Sequence, residues 1–304
     1  MPIRVVAHVP DSAAHVRLVD DAHHLLIGRD AACDLHLSHP SISRRHAILH
    51  RRDQQWVVDD QASKNGMRVN GKPVASVTVN QPRWLQLGDI YLECEPLTTA
   101  VARQLQQRTR QRRHDSQVLE SRLQADRGLE QLVQQGLRDL LSLADCDRGF
   151  VLLGDGDELR VHACEGLQME ELGDSRFGGS VGAVQRALDD GRSVVCHDTA
   201  SLAWLRERES VVSGGIQALL SLPLRADGHT IGAVYLDSRS PGHCFTDLDL
   251  ELIEAFAARL ATVLDAVRMR EAIADMQAQL GAATGSRHCA WTGITSRHGL
   301  CRED

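Results

Sequence analysis

Lysine is almost missing from this chain: Lys64 and Lys72 are the only two in 304 residues, and arginine supplies every other fixed positive charge. Acidic residues outnumber basic ones and leave a net charge of −7. That excludes a protein that coats nucleic acid generally, because such binding draws on counterion release by a basic surface. No apolar run approaches the roughly 20 residues that cross a bilayer. The amino-terminal stretch MPIRVVAHVP lacks the apolar core and small-residue cleavage site of an export signal. A soluble, cytoplasmic protein with no membrane partner is therefore expected. The eight cysteines stand singly, without a CxxC pair, so reduced thiols are expected rather than a disulfide scaffold. No GxxxxGK[ST] occurs, which removes a phosphate loop for ATP.

What is present suggests more than one domain. Residues 1–97 read as many short strands separated by turns, two of them Asn-Gly (Asn65-Gly66 and Asn70-Gly71). This pattern predicts an all-β antiparallel sandwich with a core that includes Leu25, Ile27, Leu35, Leu37, Trp56 and Val58. Residues 98–127, rich in glutamine and arginine, read as a helical connector. Its possible seam of Val101, Leu105, Leu119 and Leu123 is interrupted by Arg108 and Arg112, which argues against a sustained heptad repeat. Residues 128–270 open with Leu129, Leu132, Val133, Leu137, Leu140 and Leu141 at helical spacing, continue through strand-like runs, and close with a second amphipathic helix. Thr246 caps that helix in this reading, with Asp247, Asp249 and Glu251 in its first turn. The result is an α+β domain. Residues 271–304 extend the helix through Met276 and Leu280 into a tail without a periodic core pattern, expected to be mobile. His288, Cys289, His298 and Cys301 in that tail match no zinc spacing, so no metal is predicted.

The polar signals of the first domain fall in three successive loops: LIGRDAACDLHL, HPSISRRHAILH and DDQASKNGMRVNGKPV. Gly28-Arg29, Ser43-Arg44-Arg45-His46, Asn65-Gly66 and Asn70-Gly71, in this order, resemble the forkhead-associated (FHA) domain, a β-sandwich that recognises phosphothreonine. The resemblance implies phosphate contacts from Arg29 and Ser43, a second positive group in Arg44, and a peptide-backbone clamp in Asn65. It makes Gly28, His46, Gly66 and Asn70 architectural. The chemistry agrees, since a near-dianionic phosphate calls for charged forks and hydroxyl or amide donors converging from loops. A threonine is common in the family where this chain has Lys64. Lys64 either supplies a flexible charge in its place or is a solvated turn residue, and both readings stay open. A hydrolytic Ser43/His46 pair is disfavoured because no acidic group is indicated to orient the imidazole.

LVQQGLRDLLSLADCDRGFVLLGDGDELRVHACEGL, SVGAVQRALDDGRSVVCHDT, GIQALLSLPLRADGHTIGAVYLDSR and FTDLDLELIEAFAARLATVLDAVRMRE resemble, in order, the segments of a GAF domain. The family binds small molecules between its sheet and variable helices, but nothing here selects one, so the cofactor is unknown. Cys164, Cys196 and Cys244 read as packed small hydrophobes. The pair of resemblances is similar to the sensory half of bacterial sigma-54-dependent transcription regulators, without an ATPase or a helix-turn-helix.

The expectation is a non-enzymatic bacterial signalling adaptor. It binds a threonine-phosphorylated protein and couples that event to a GAF sensory or dimerisation domain, as a homodimer through the GAF domain and flanking helices. The alternative is a small-molecule-sensing GAF regulator of transcription whose FHA scaffold does not bind. Direct nucleic-acid binding through Arg103, Arg108, Arg110, Arg112 and Arg113 is disfavoured, since a solvated helix face explains them and no helix-turn-helix accompanies them.

Overall fold

The computed structural model describes residues 1–126, 128–155, 158–167, 178–197 and 215–295, except for the side chains of residues 155, 178–180 and 281–295. Eleven strands build the first domain: β1 (Ile3–His8), β2 (His15–Val19), β3 (Leu25–Gly28), β4 (Leu35–His36), β5 (Ala47–Arg52), β6 (Gln55–Asp60), β7 (Met67–Val69), β8 (Lys72–Val74), β9 (Ser76–Val79), β10 (Arg83–Leu87) and β11 (Ile90–Pro96). They form one sheet in the order β2-β1-β11-β10-β7-β8 and a second in the order β4-β3-β5-β6-β9. Alternate residues of the two inner faces make the core. Leu25, Ile27, Leu35, Leu37, Trp56 and Val58 are all buried there, as the alternation predicts. Between β7 and β8, Asn70 and Gly71 both take positive φ (50° and 76°). A two-residue hairpin loop demands this conformation and Asn-Gly adopts it readily.

Helix α1 (Thr99–Ser121) follows, its Val101 amide bonded to the Thr98 side chain. Leu123, just beyond it, is buried in the core of the second domain, and Leu119 packs against that core. Val101 is exposed. The connector therefore lies on its own chain rather than presenting one continuous seam.

In the second domain β12 (Arg148–Asp155), β13 (Glu158–Glu165), β14 (Val194–His197), β15 (Ala218–Ala226) and β16 (His229–Ser238) make an antiparallel sheet in the order β13-β12-β16-β15-β14. Helix α2 (Leu129–Ala144) and the long α4 (Asp247–Thr295) cover one face, where Leu132, Val133, Leu137 and Leu140 meet Ile253, Phe256, Leu260 and Leu264. Helix α3 (Gly178–Asp190) covers the other. Thr246 caps α4 as expected: its hydroxyl accepts the Asp249 amide, while the Asp249 carboxylate accepts the Thr246 amide and hydroxyl.

From Gly281 the chain stays helical to Thr295. Extending an existing helix adds one hydrogen bond per residue fixed, without a new nucleation cost, and no proline stands in the way. Residues 296–304, with His298 and Cys301, lie outside the described residues, as do the side chains of His288 and Cys289. Among the described residues no helix is long and apolar enough to cross a membrane, and no cluster of metal-ligating side chains occurs.

Candidate functional site

The three polar loops meet at one end of the sandwich because backbone bonds sew them together. Arg29 N–H donates to the Ser43 carbonyl (2.9 Å) and Asp30 N–H to the Arg44 carbonyl (3.0 Å). Gly28 sits where these segments approach most closely: a Cβ there would lie 2.1 Å from the Arg44 oxygen, so no side chain fits without moving backbone. His46 ties the second loop to the third. Fully buried, its Nδ1 accepts the Ser43 amide (3.2 Å) and its Nε2 donates to the Gly66 carbonyl (3.2 Å). Burial pulls its pKa down against that Gly66 bond and the Asp60 charge, keeping the ring neutral with one acceptor and one donor nitrogen.

On this frame the polar groups converge. Ser43 Oγ accepts the Lys64 amide at 2.9 Å, which leaves its O–H to donate outward. Asn65 Nδ2 donates to the Ser41 carbonyl at 2.8 Å. The exposed Arg29 spends only Nε, on the Ile42 carbonyl at 3.2 Å, so its terminal nitrogens are uncommitted. Arg44 and Lys64 extend into solvent beside it. Arg29, Ser43, Arg44, Lys64 and Asn65 are thus brought together, with Gly28, His46 and Gly66 beneath them. Asn70 lies apart, in the β7–β8 turn.

Sequence reasoning missed Ser41. Its carbonyl holds Asn65 and its hydroxyl accepts the Asp89 amide of the β10–β11 turn (2.9 Å). The only signal was its place two residues before Ser43.

The second domain docks toward this same end. Met67 pairs with Leu87 beside the β10–β11 turn, and Tyr91 pairs with His8 at the end of β1. The rim therefore runs from the three polar loops across strands about 4.8 Å apart to the β1–β2 loop. There Ala14 donates to the Phe245 carbonyl and accepts the Asp247 amide, both at 2.8 Å. Asp247 in turn accepts the Val16 amide (3.3 Å) and the Arg17 guanidinium (2.6 Å). From the connector, Arg112 pairs with Asp249 (2.5 Å) and Arg113 forks onto Glu251. Those two arginines are engaged within the protein.

Acid should loosen this seam. Burial first, then the neighbouring His8 and His243 rings, pull His197 down to about 4 against the Ser12 backbone and Asp249. The fold thus favours the neutral ring. Its contribution is complete above the ordinary 6.5 and is lost as pH falls toward 4. Burial alone would push the Asp247 carboxyl up, but His15, Arg17 and the Val16 amide hold it at about 2, so its contribution disappears only as pH falls from 3.8 toward 2. A spin-label distance across the seam should stay fixed at neutral pH and broaden between pH 6.5 and 4. His197→Gln should remove that step, and an unchanged distance down to pH 4 would contradict it.

In the GAF-type half, the sheet face under α3 is lined by Phe150, Cys196, Leu219, Ala233 and Tyr235 with Ala183 and Val184. Its apolar character favours no particular cofactor. Segments 168–177 and 198–214 lie outside the described residues. Cys196 is fully buried, while Cys164 and Cys244 are partly so.

A two-sheet sandwich with three sewn polar loops, followed by a helix-covered antiparallel sheet, defines a forkhead-associated module joined to a GAF module. The family models agree: the FHA domain matches residues 25–92 and the GAF domain residues 128–264. The chain carries an FHA domain followed by a GAF domain. Over 67 residues it is 33% identical to the ABC transporter ATP-binding/permease protein Rv1747 of Mycobacterium tuberculosis, a match spanning 22% of this chain and 8% of that relative. The crystal structure of that protein's FHA-1 domain is 28% identical, covering 31% of this chain and 97% of that one at a TM-score of 0.28. The GAF domain region of a Geobacter sulfurreducens protein is 22% identical, covering 46% of this chain and 94% of that one at a TM-score of 0.40. Mycobacterium tuberculosis EmbR in complex with a low-affinity phosphopeptide is 23% identical, covering 30% of this chain and 24% of EmbR at a TM-score of 0.25.

Proposed function

We propose that the protein is a signalling adaptor that binds threonine-phosphorylated proteins at Arg29, Ser43, Arg44, Lys64 and Asn65. The observation that carries this reading is the unspent donor set on a rigid frame: the Arg29 terminal nitrogens and the Ser43 hydroxyl, each held in place by a bond that leaves its outward group free. Preorganised donors of this kind suit a phosphate, since little freedom is lost on binding. Asn65 would exchange its bond to Ser41 for the peptide backbone, or use its remaining amide groups.

The adaptor acts without catalysis. His46 Nδ1 faces the Ser43 amide and Nε2 the Gly66 carbonyl, so neither nitrogen serves the Ser43 hydroxyl as a base. The test is titration of the full chain with a degenerate phosphothreonine peptide library and with the same library carrying threonine. Binding is expected only to the first, and equal binding would overturn the reading.

The GAF domain couples this binding to self-association, and α4 supports that role. Every residue from Met269 to Leu280 is exposed, and Met269, Ile273 and Met276 recur at the alternating spacing of four and three that marks a two-helix seam. Sedimentation should show a dimer for the full chain and a monomer for Ile273→Glu. A monomeric parent chain would remove the coupling by dimerisation.

A further inference from the structure

The charges around the phosphate cradle exceed what one phosphate needs. A phosphothreonine brings about 1.5 to 2 negative charges near neutral pH. Four cations stand on the three loops that form its place: Arg29, Arg44, Arg45 and Lys64. Arg44 and Arg45 directly follow Ser43 in the second loop, and the Lys64 amide of the third sits on the Ser43 hydroxyl at 2.9 Å. The side chains of Arg44, Arg45 and Lys64 are exposed and make no hydrogen bond or ion pair among the described residues.

The carboxylates of the same loops are turned to other work. Asp30 accepts the Ala32 amide (3.0 Å), Asp34 the Leu26 amide (2.8 Å), and Asp60 both the amide (3.0 Å) and the hydroxyl (2.5 Å) of Ser63. Asp30 and Asp60 thereby stabilise their own turns and Asp34 ties its loop back to β3, and among the described residues none forms an ion pair with the four cations. In a chain whose net charge is −7, with only two lysines, one lysine and two adjacent arginines stand on these loops without an ion pair among the described residues. Like charges gathered without partners repel, so the arrangement favours a ligand that brings more negative charge than one phosphate.

We infer that the partner presents its phosphothreonine in an anionic segment, and that Arg45 and Lys64 read negative charge flanking the phosphorylated residue, from a carboxylate or from a second phosphate. This rests on the phosphothreonine reading above and adds the class of sequence that the site selects. Arg29 and Ser43 would hold the phosphate itself. The arginine fork and the flexible lysine charge would then meet side chains on either side of it.

The test uses the full chain and phosphothreonine peptides that differ only in their flanks: alanine, glutamate, arginine, or one phosphoserine. Each is paired with its unphosphorylated threonine counterpart. Exposed charge pairs contribute up to about 1 kcal/mol each, so two should favour the glutamate flank over alanine by roughly tenfold at low salt. The arginine flank should bind more weakly than alanine, and added salt should narrow the series. Arg45→Ala combined with Lys64→Ala should bring the glutamate-to-alanine ratio close to one. A gain for the phosphoserine flank alone would assign the anion to a second phosphate. Equal affinity across all flanks, with phosphothreonine still preferred over threonine, would overturn this inference and leave the phosphate reading intact. Loss of the preference for phosphothreonine itself would overturn both.

Discussion

Replacing Arg29 with alanine will weaken binding of a phosphothreonine peptide by about 2 kcal/mol or more, roughly thirtyfold, while the sandwich stays folded. The loss is large because a guanidinium meets a phosphate through parallel, charge-assisted bonds that water reproduces poorly. The fold survives because Arg29 is exposed and, among the described residues, its only side-chain bond runs from Nε to the Ile42 carbonyl. Its backbone bond to the Ser43 carbonyl is untouched by the substitution. Arg29→Lys should recover only part of the affinity, since lysine keeps the charge but not the planar fork. Titration calorimetry of the three proteins with one peptide checks this. An alanine variant that binds as tightly as its parent would remove Arg29 from the site.

The largest expected effect on stability lies in the other domain. Arg148 is nearly buried, with Nε and Nη2 at 2.8 and 2.7 Å from Asp237 Oδ1, and Asp237 is wholly buried. Burial pushes the Asp237 carboxyl up, while Arg148 pulls it back. Arg148→Ala leaves that carboxylate without its countercharge between β12 and β16, which should cost about 3–5 kcal/mol of domain stability. Replacing both residues by apolar ones of similar volume, as in Arg148→Met with Asp237→Leu, should recover most of the loss, because the desolvation cost of both charges disappears together. In a urea titration of the full chain, the GAF transition should move to lower denaturant and the FHA transition should stay. A single variant that unfolds with its parent would show the pair to be dispensable.

Both residues stand inside segments that were readable in the sequence: Arg148 before Gly149 at the entrance to the first GAF strand, and Asp237 in the VYLDS run. The same holds for the Thr246 cap, the Asn70-Gly71 hairpin and the three loops that form the cradle. Each is a local rule, in which residue type and conformation are linked over a few positions. Features that join distant parts of the chain were not readable. Asp247 meets the amide of Val16, 231 residues away, and nothing in the composition of β2 announces that contact. Arg112 was visible as an interruption of an apolar seam and as one arginine of a solvated helix face. In the structure it reaches Asp249 and the Leu143 carbonyl, so the connector is fixed by charge as well as by apolar packing. Ser41 was silent because its contribution to Asn65 is a backbone carbonyl, which every residue type possesses. Beyond Gly281 the lack of an apolar period says which faces are unburied, not whether a helix already under way will stop.

This placement gives the adaptor reading its physical content. The three polar loops and the GAF contact share one end of the sandwich, so under the proposed function a partner held at Arg29 would lie on the side that faces the second domain. The seam between the domains is polar, with His197 kept neutral by burial and Asp247 kept ionised by His15, Arg17 and the Val16 amide. Such a contact can shift with modest changes in binding energy more easily than a large apolar interface.

The most direct test of the central claim is phosphorus NMR of one phosphothreonine peptide titrated with the full chain. If Arg29 and Ser43 hold the phosphate, the phosphate resonance shifts and its titration midpoint falls, because a positive fork favours the dianion, and both changes disappear with Arg29→Ala. A peptide that binds while its phosphorus signal and titration stay those of the free peptide would contradict the account.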